Sequence, residues 1–375
     1  MCERGDFFVH FSVLPDPRID RTKKHYLIDI MFIAVCTMIS GGEGFTDMEA
    51  FGEAKEEWLR KYLELPYGIP SHDTFRRLFS ILDPEAFSEC FTRWSQALHE
   101  ATNGEVIALD GKTIRHSFDT LSGQGALHMV SAWACENGLA LAQVKVDEKS
   151  NEITAIPKLL EMIDVKGRII TTDAMGCQKD IVKRIVDKKG DYVLCLKGNQ
   201  ESLHEEVKYF FDECREASYQ DVEYRYFETV EKDHGRIETR RCWVVEEDAI
   251  RWLEREDQWP GLKSIAAIEG ERKIGAKTTL ETRYFISSLT GSAHKVANAA
   301  REHWAIENSL HHVLDVTFNE DKSRIRKDNA PENLAILRKI ALNAVKREKT
   351  RKGSVRGRVK KAGWDNSYLE QILVS

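Results

Sequence analysis

The stretch EVIALDG, residues 105–111, holds the pattern on which the fold prediction rests. Its apolar and partly β-branched residues predict a buried strand, which stops at Asp110 before a glycine. The stretch RIITTDA, residues 168–174, repeats this pattern and stops at Asp173. Because ligands of α/β proteins gather beyond the carboxyl ends of strands, each aspartate is a candidate site residue. An aspartate before a small residue is also common turn chemistry, and for either residue alone that interpretation stays open.

Strands and helices alternate around these two stretches. Three strand-like segments lie within residues 105–146, and Asn137-Gly138 between the last two is a hairpin signal. Residues 153–216 then read as helix, strand, helix, strand and helix. This order predicts an α/β fold with a mixed sheet flanked by helices.

The segments on either side of this region have different patterns. Residues 1–100 have apolar residues at spacings of three and four, which predict helices. Residues from about 218 to 290 again read as strands and interrupt the α/β region. We therefore predict an N-terminal helical domain over residues 1–100 and an α/β domain over residues 101–375, with a β-rich insertion at about 218–290.

The composition is that of an ordinary globular protein, with 42% hydrophobic and 31% charged residues. The longest apolar run, residues 26–40, contains Asp29 and is shorter than the roughly 20 residues of a membrane span. The N-terminus has no signal-peptide pattern, and the eight scattered cysteines form no CxxC pair. We therefore expect a cytoplasmic protein with reduced thiols and no membrane partner.

The formal charge of −6 argues at first against a nucleic-acid partner, but this charge is unevenly distributed. Residues 322–361 carry a net charge of +12, which leaves −18 for the rest of the chain. Such an asymmetry is expected if one basic surface meets phosphates. A solvated basic helix explains the same charge equally well, and both interpretations stay open.

Two neighbouring aspartates repel each other unless a cation shares their site. Mg²⁺ suits that role because it prefers oxygen ligands and keeps waters and substrate phosphates. With a third carboxylate, two such ions about 3.5–4 Å apart can clamp an in-line phosphoryl transfer. In HWAIENSLHH, residues 303–312, Glu307 lies among apolar residues, and we expect its side chain to point into the interior. Other candidates for the third carboxylate are Glu302, Asp315, Glu320 and Asp321.

The same decapeptide suggests a rival metal site. His303, Glu307 and His311 are four residues apart and share one helix face, as zinc ligands do. The two histidines are nevertheless about 12 Å apart along the axis, at about 1.5 Å per residue, which is too far for one ion. We therefore disfavour a zinc site on this helix.

Several long strings carry a family resemblance, and they run in order over nearly the whole chain. In the helical N-terminal part they are GGEGFTDMEAFGEAK (41–55) and GIPSHDTFRRLFS (68–80). Beyond it they are ALDGKTIRHS (108–117), VKVDEKSNEITAIP (144–157), IITTDAMGCQKDI (169–181), GDYVLCLKGNQ (190–200), HGRIETR (234–240), YFISSL (284–289) and REHWAIENSLHHVLDVTFNED (301–321). Together they closely resemble the H-repeat-associated insertion-sequence transposases, members of the DDE superfamily with a ribonuclease H-like core.

The resemblance implies an acidic triad of Asp110, Asp173 and Glu307, with the β-rich insertion between the last two. It also implies an enzyme that cuts double-stranded DNA at the terminal inverted repeats of an element with a Mg²⁺-activated water. Mn²⁺ is the alternative ion. The freed 3′-hydroxyl then attacks target DNA, so no protein nucleophile is needed. Such an enzyme is expected to work as a homo-oligomer and to be associated with the nucleoid.

Basic residues near these motifs are candidates for contacts to DNA phosphates, although each can equally be a solvated surface charge. They are Lys112, Arg115, Lys197, Arg236, Arg301 and Lys322.

The chain departs from its better-known relatives at one signature. Related transposases with an inserted β domain carry Tyr, Arg and Lys around the third carboxylate. Here those three positions are occupied by Ala300, His303 and Leu314.

Two further functions are compatible with the same sequence. An inactive or domesticated relic would keep the fold and bind DNA without cutting it. A host nuclease of ribonuclease H type would cut without joining strands.

Overall fold

Helices dominate both ends of the chain, whereas strands dominate its middle. A computed structural model describes residues 6–100, 105–118, 123, 125–147, 150–233, 235–250, 253 and 259–374. The described helices are α1 (Asp6–Phe11), α2 (Leu27–Ile39), α3 (Phe45–Ala54), α4 (Glu56–Leu59), α5 (His72–Ile81), α6 (Pro84–Glu100), α7 (Glu152–Met162), α8 (Lys179–Asp187), α9 (Glu201–Glu216), α10 (Glu247–Ile250), α11 (Ala293–Ile306), α12 (His312–Thr317), α13 (Ala330–Arg347), α14 (Val355–Trp364) and α15 (Asn366–Val374).

The strands of the described ranges form one mixed nine-stranded sheet, in the order β3-β2-β1-β4-β5-β9-β8-β7-β6. β1, β4 and β5 pair in parallel, whereas β2 with β3 and the pairs from β5 through β9 to β6 are antiparallel. The predicted α/β fold with a mixed sheet is therefore confirmed. The strands are β1 (Val106–Thr113), β2 (His128–Ala134), β3 (Leu139–Lys145), β4 (Ile169–Thr172), β5 (Asp191–Leu196), β6 (Tyr224–Asp233), β7 (Arg236–Glu246), β8 (Ser264–Ile274) and β9 (Lys277–Ser287).

The β-rich segment predicted at about 218–290 supplies β6 to β9. These strands are not a separate sheet, because β9 pairs with β5 from Val193↔Ser287 to Leu196↔Tyr284. The segment that reads as an insertion along the chain thus lengthens the sheet by four strands.

The chain divides into two compact units. The first unit takes the described residues within 1–103, 111–151 and 307–375, and the second takes those within 104–110 and 152–306. Two of the four boundaries fall inside β1 and directly after α11. The division that we predicted along the chain at residue 100 stays a prediction.

Two buried helices form the centre of the first unit. α2 is buried from Asp29 to Ile39, in agreement with the core helix expected for the apolar run, and α13 packs against it. α13 also buries two of its charged residues, Arg338 and Lys339. The basic stretch 322–361 is therefore only partly a surface feature, because some of its charge is internal.

In the second unit, α11 packs on β4, β5, β6 and β7, and α7 and α8 pack against each other. The buried residues of α8 are apolar: Ile181, Val182 and Ile185. This packing fixes the ends of the parallel strands, where the candidate site begins.

Two sequence-based expectations concern the cysteines and the membrane. The described cysteines are free thiols, and Cys2 lies outside the described residues. Within the ranges that the structure covers, no helix has the length and apolar character needed to cross a membrane.

Candidate active site

Asp110 lies on β1 and Asp173 directly follows β4, at corresponding positions of two neighbouring parallel strands of the second unit. The register of β1 and β4 runs from Val106↔Ile169 to Leu109↔Thr172, and each aspartate is the next residue. Neighbouring strands are about 4.8 Å apart, and residues at the same level point to the same face. Both aspartates are half-buried. The fold thus places both aspartates at the same end of two neighbouring parallel strands.

Asp173 begins a tight turn that holds its carboxylate. Its Oδ1 accepts a hydrogen bond from the backbone N–H of Gly176 at 3.3 Å. Gly176 has no room for a side chain, because an added Cβ would lie 2.6 Å from Oγ1 of Thr172. Burial, followed by the charge of Glu152, raises the pKa of Asp173, while the Gly176 N–H and Lys197 oppose that shift. A half-buried carboxylate with a raised pKa is stabilised by a nearby cation.

Glu307 belongs to the first unit and begins a π-helical turn, Glu307–His311, that directly follows α11. Its side chain is 69% exposed, so the expectation that it points into the interior is wrong. A π-helical turn contains one residue more than an α-helical turn, and it therefore changes which side chains face the core. Here Leu310 and His311 are the buried residues of the turn. Such turns occur frequently at functional sites.

The two histidines of the rival zinc site have different surroundings. His303, in the second unit, has its Nδ1 3.2 Å from Oγ1 of Thr171, and burial lowers the pKa of His303 to about 4. His311, in the first unit, has its Nδ1 3.7 Å from Oε2 of Glu307. His303 is therefore a neutral histidine hydrogen-bonded beneath β4, while His311 lies beside the Glu307 carboxylate.

Three of the other candidate carboxylates surround one lysine in the first unit. Nζ of Lys112 lies 2.6 Å from Asp315, 2.9 Å from Glu320 and 3.3 Å from Asp321. Burial lowers the pKa of Lys112, but Glu320 and Asp315 raise it by more, so the net shift is upward. The remaining candidate, Glu302, accepts a hydrogen bond from Asn298 at 2.9 Å. Lys112 is thus the centre of a charge cluster.

The other predicted phosphate contacts divide into exposed and ion-paired residues. Lys197 and Lys322 are exposed, and Arg115 is 80% exposed with its Nε 3.4 Å from Asp321. In the second unit, Arg236 pairs with Glu238 at 3.0 Å and Arg301 with Glu231 at 2.7 Å. These two arginines would have to exchange a carboxylate for a phosphate in order to bind DNA.

One residue of this region escaped the sequence analysis. Lys346 of α13 donates a hydrogen bond from Nζ to the backbone carbonyl of Ser309, inside the π-helical turn. Its ammonium also lies 4.3 Å from the centre of the Trp133 ring. No sequence pattern links these positions, because the contact joins residues 37 apart.

Known protein families and relatives match nearly the whole chain. Residues 102–344 match the family model described as Transposase DDE domain, and residues 8–95 match the model described as DDE_Tnp_1-associated. YncI of Escherichia coli O157:H7 is 45% identical over 98% of this chain and 94% of its own length. YhhI of Escherichia coli strain K12 is 42% identical over 97% of this chain and 96% of its own length. YncI is named as a candidate transposase, and YhhI is named as a candidate transposase associated with the H repeat.

Among solved structures, a piggyBac transposase synaptic complex with hairpin DNA aligns with 99% of this chain and 78% of that chain, at 11% identity and a TM-score of 0.44. The family assignment rests instead on the sequence matches. The transposase model alone covers more than half of the chain, and the two relatives cover nearly all of it. The resemblance inferred from the sequence strings is thereby confirmed. The chain belongs to the DDE transposases, as one of the H repeat-associated members.

Proposed function

We propose that this protein cleaves DNA at the ends of its own mobile element and transfers the freed strands to target DNA. The observation that carries the proposal is the pair of aspartates, Asp110 and Asp173, which directly follow the paired residues Leu109 and Thr172 of two adjacent parallel strands. Membership of the DDE transposases supports the reaction class. The reaction is a phosphoryl transfer, in which water and then a DNA 3′-hydroxyl act as nucleophiles.

The donor set fits a hard divalent cation. Asp110, Asp173 and Glu307 offer carboxylate oxygens, which Mg²⁺ prefers, with Mn²⁺ as the alternative. The raised pKa of Asp173 indicates a carboxylate whose charge is poorly compensated by the protein alone. Glu307 is exposed and therefore open to a ligand. When bound, such ions activate a water and stabilise the developing charge on the leaving oxygen.

The protein's own groups orient these ligands and the DNA. The N–H of Gly176 holds the Asp173 carboxylate, and His311 lies beside that of Glu307. We propose that Lys197, Arg115 and Lys322 contact DNA phosphates, because their side chains are exposed. Arg236 and Arg301 belong to the same proposal, with exchange of their glutamate partners. Lys112 is not included, since three carboxylates already surround it.

The reaction is tested with purified protein, Mg²⁺ and a labelled duplex that carries the element's terminal inverted repeats. Nicked and joined strands are expected from the parent chain, and Asp173→Asn is expected to abolish both. Asp221→Asn is the matched control, because Asp221 is exposed and lies outside the strand ends. An Asp173→Asn variant that cuts as well as the parent would refute the assignment of Asp173.

The same assay separates the alternatives. Specific binding of the ends without cleavage would identify an inactive or domesticated relic. Cleavage without any joined product would identify a nuclease. Sedimentation of the protein with paired ends measures whether it acts as the homo-oligomer that two element ends require.

A further inference from the structure

Helix α14 presents two basic side chains and a tryptophan to solvent. Arg356, Lys360 and Trp364 recur at a spacing of four residues, which places them on one helix face. All three are exposed, and Trp364 is 79% exposed. The segment before the helix adds three exposed cations: Lys349, Arg351 and Lys352. We call these six residues the α14 surface.

The cations of this surface are not neutralised by the protein. Within the ranges that the structure describes, no ion pair joins Lys349, Arg351, Lys352, Arg356 or Lys360 to a carboxylate. The nearby Glu348 is buried and accepts a hydrogen bond from the Tyr368 hydroxyl at 2.5 Å. The surface thus carries five positive charges in a chain whose formal charge is −6.

The other basic side chains of α14 serve the packing of the first unit. Nη1 of Arg358 donates to the backbone carbonyls of Val345, at 3.1 Å, and Glu348, at 2.7 Å. These contacts join α14 to the C-terminal end of α13. Nζ of Lys361 lies 4.3 Å from the centre of the Tyr368 ring. The basic residues of α14 therefore have two separate roles. Among the described residues, no ion pair or hydrogen bond accounts for the outward-facing Arg356 and Lys360.

The helix is also held rigidly. Gly363 packs so closely against the end of α2 that an added Cβ would lie 2.9 Å from the backbone oxygen of Ser40. A second contact comes from Val359, which is buried and would touch a Cβ added at Gly41. A surface on such a fixed helix is pre-organised, so little conformational entropy is lost when a partner binds.

The position of α14 connects this surface to the proposed reaction. α14 packs against α12, and α12 directly follows the π-helical turn that carries Glu307. Both belong to the first unit. A polymer bound along α14 would therefore be held by the same unit that supplies Glu307.

Two kinds of polyanion fit a basic helix, a nucleic acid and an anionic membrane. A membrane-surface helix buries its apolar face in lipid. The apolar residues Val359 and Ala362 of α14 are instead buried in the protein, which leaves mainly charge on the outward face. Charge without an apolar stripe matches the phosphate backbone of DNA.

We infer that the α14 surface is a docking surface for the sugar-phosphate backbone of duplex DNA. This inference rests on the proposed function and extends it, because it assigns part of the DNA footprint to residues 349–364. Contacts of this kind position the duplex and do not read its sequence.

The inference is tested by the salt dependence of DNA binding with the double variant Arg356→Gln/Lys360→Gln in the full-length protein. Fluorescence anisotropy gives the affinity for an end duplex at several salt concentrations. Because each phosphate contact contributes a slope of about −0.9, the variant's slope should be shallower by roughly 2. The matched control is Lys166→Gln/Lys183→Gln, which removes two exposed lysines of the second unit and should keep the parental slope. Circular dichroism and the melting temperature verify that both variants fold.

The outcomes separate this inference from the proposed function. A parental slope in the Arg356→Gln/Lys360→Gln variant, with DNA still bound, overturns the inference and leaves the proposed function intact. A parent chain that binds no DNA overturns both. Binding to anionic phospholipid vesicles that the double variant loses, with DNA binding unchanged, assigns the surface to a membrane and also overturns the inference.

Discussion

The ammonium of Lys346 donates a hydrogen bond to the backbone carbonyl of Ser309, with 3.0 Å between Nζ and O. Ser309 lies at the middle of the π-helical turn Glu307–His311, where the regular i to i−4 hydrogen bonds of the helix are interrupted. Lys346 thus supplies a side-chain donor to a backbone carbonyl of this turn. The π face of Trp133 holds the ammonium from a second side. Lys346 is therefore a positioning residue for the turn that carries Glu307.

Lys346→Met should slow strand cleavage and leave DNA binding unchanged. The substitution keeps the length of the side chain but removes the donor, so the turn loses a charge-assisted hydrogen bond of about 1.5–3 kcal/mol. If half of that energy is lost from the transition state, the single-turnover rate falls by about 4- to 13-fold. Single-turnover rates and the Kd for an end duplex measure the two effects separately.

Lys346→Arg should restore most of the rate, because arginine also donates and also stacks on tryptophan. A purely structural role would lower the melting temperature of Lys346→Met without this split between rate and affinity. A variant with weaker DNA binding and an unchanged rate would contradict the positioning role.

The pH dependence of stability is predicted to depend on His303. Burial lowers the pKa of His303 from 6.5 to about 4, so the unfolded chain takes up its proton at a higher pH than the folded chain does. Stability from the neutral imidazole is thus complete above pH 6.5 and is lost as the pH falls towards 4. His303→Gln lacks this titration. The difference in unfolding free energy between parent and variant should shift against the parent as the pH falls through this window.

Urea denaturation at several pH values between 4 and 7 measures this difference. His312→Gln is the control, because His312 is exposed. A parent and a His303→Gln variant whose unfolding free energies change in parallel across the window would show that His303 is not buried in its neutral form.

Lys112 is predicted to stabilise the fold. Its side chain is only 12% exposed, and Glu320 beside it is 1% exposed. Lys112→Met would remove the ammonium that lies 2.9 Å from the buried Glu320 carboxylate. Removal of one partner of a buried pair costs about 3–5 kcal/mol. Because Lys339 and Arg338 also stabilise the charge of Glu320, we expect a loss at the lower end of this range. Thermal and urea unfolding measure the loss. Lys322→Met removes an exposed lysine of the same unit and should change stability by less than about 0.5 kcal/mol. A Lys112→Met variant of parental stability that binds DNA more weakly would instead identify Lys112 as a phosphate contact.

The sequence predicted some features of the fold and of the site but not others. The runs before Asp110 and Asp173 predicted buried strands because strand periodicity is a local property. The predicted direction of the Glu307 side chain was wrong. The prediction assumed a regular α-helix, whereas the π-helical turn changes which side chains are buried. The role of Lys112 depends on partners that are 203 or more residues away. The role of Lys346 depends on a partner that is 37 residues away. No local sequence pattern reveals contacts of either kind. The basic stretch 322–361 contains both the buried Arg338 and the exposed Lys360. The charge of a residue in the sequence does not reveal which of the two is buried.

Gly363→Ala should loosen α14 and thereby test whether the rigidity of this helix matters for DNA binding. The added Cβ would lie 2.9 Å from the backbone oxygen of Ser40, so α14 must shift away from α2. Overpacking of this kind costs about 1–3 kcal/mol. Gly357→Ala is the matched control, because the nearest atom to its added Cβ is the Ser354 Oγ at 3.4 Å. That variant should be stable, since alanine favours a helix over glycine by about 1 kcal/mol. If the α14 surface acts through a fixed geometry, Gly363→Ala weakens DNA binding and Gly357→Ala does not. Equal affinities, with only Gly363→Ala losing stability, would mean that the positive charge acts without a fixed geometry.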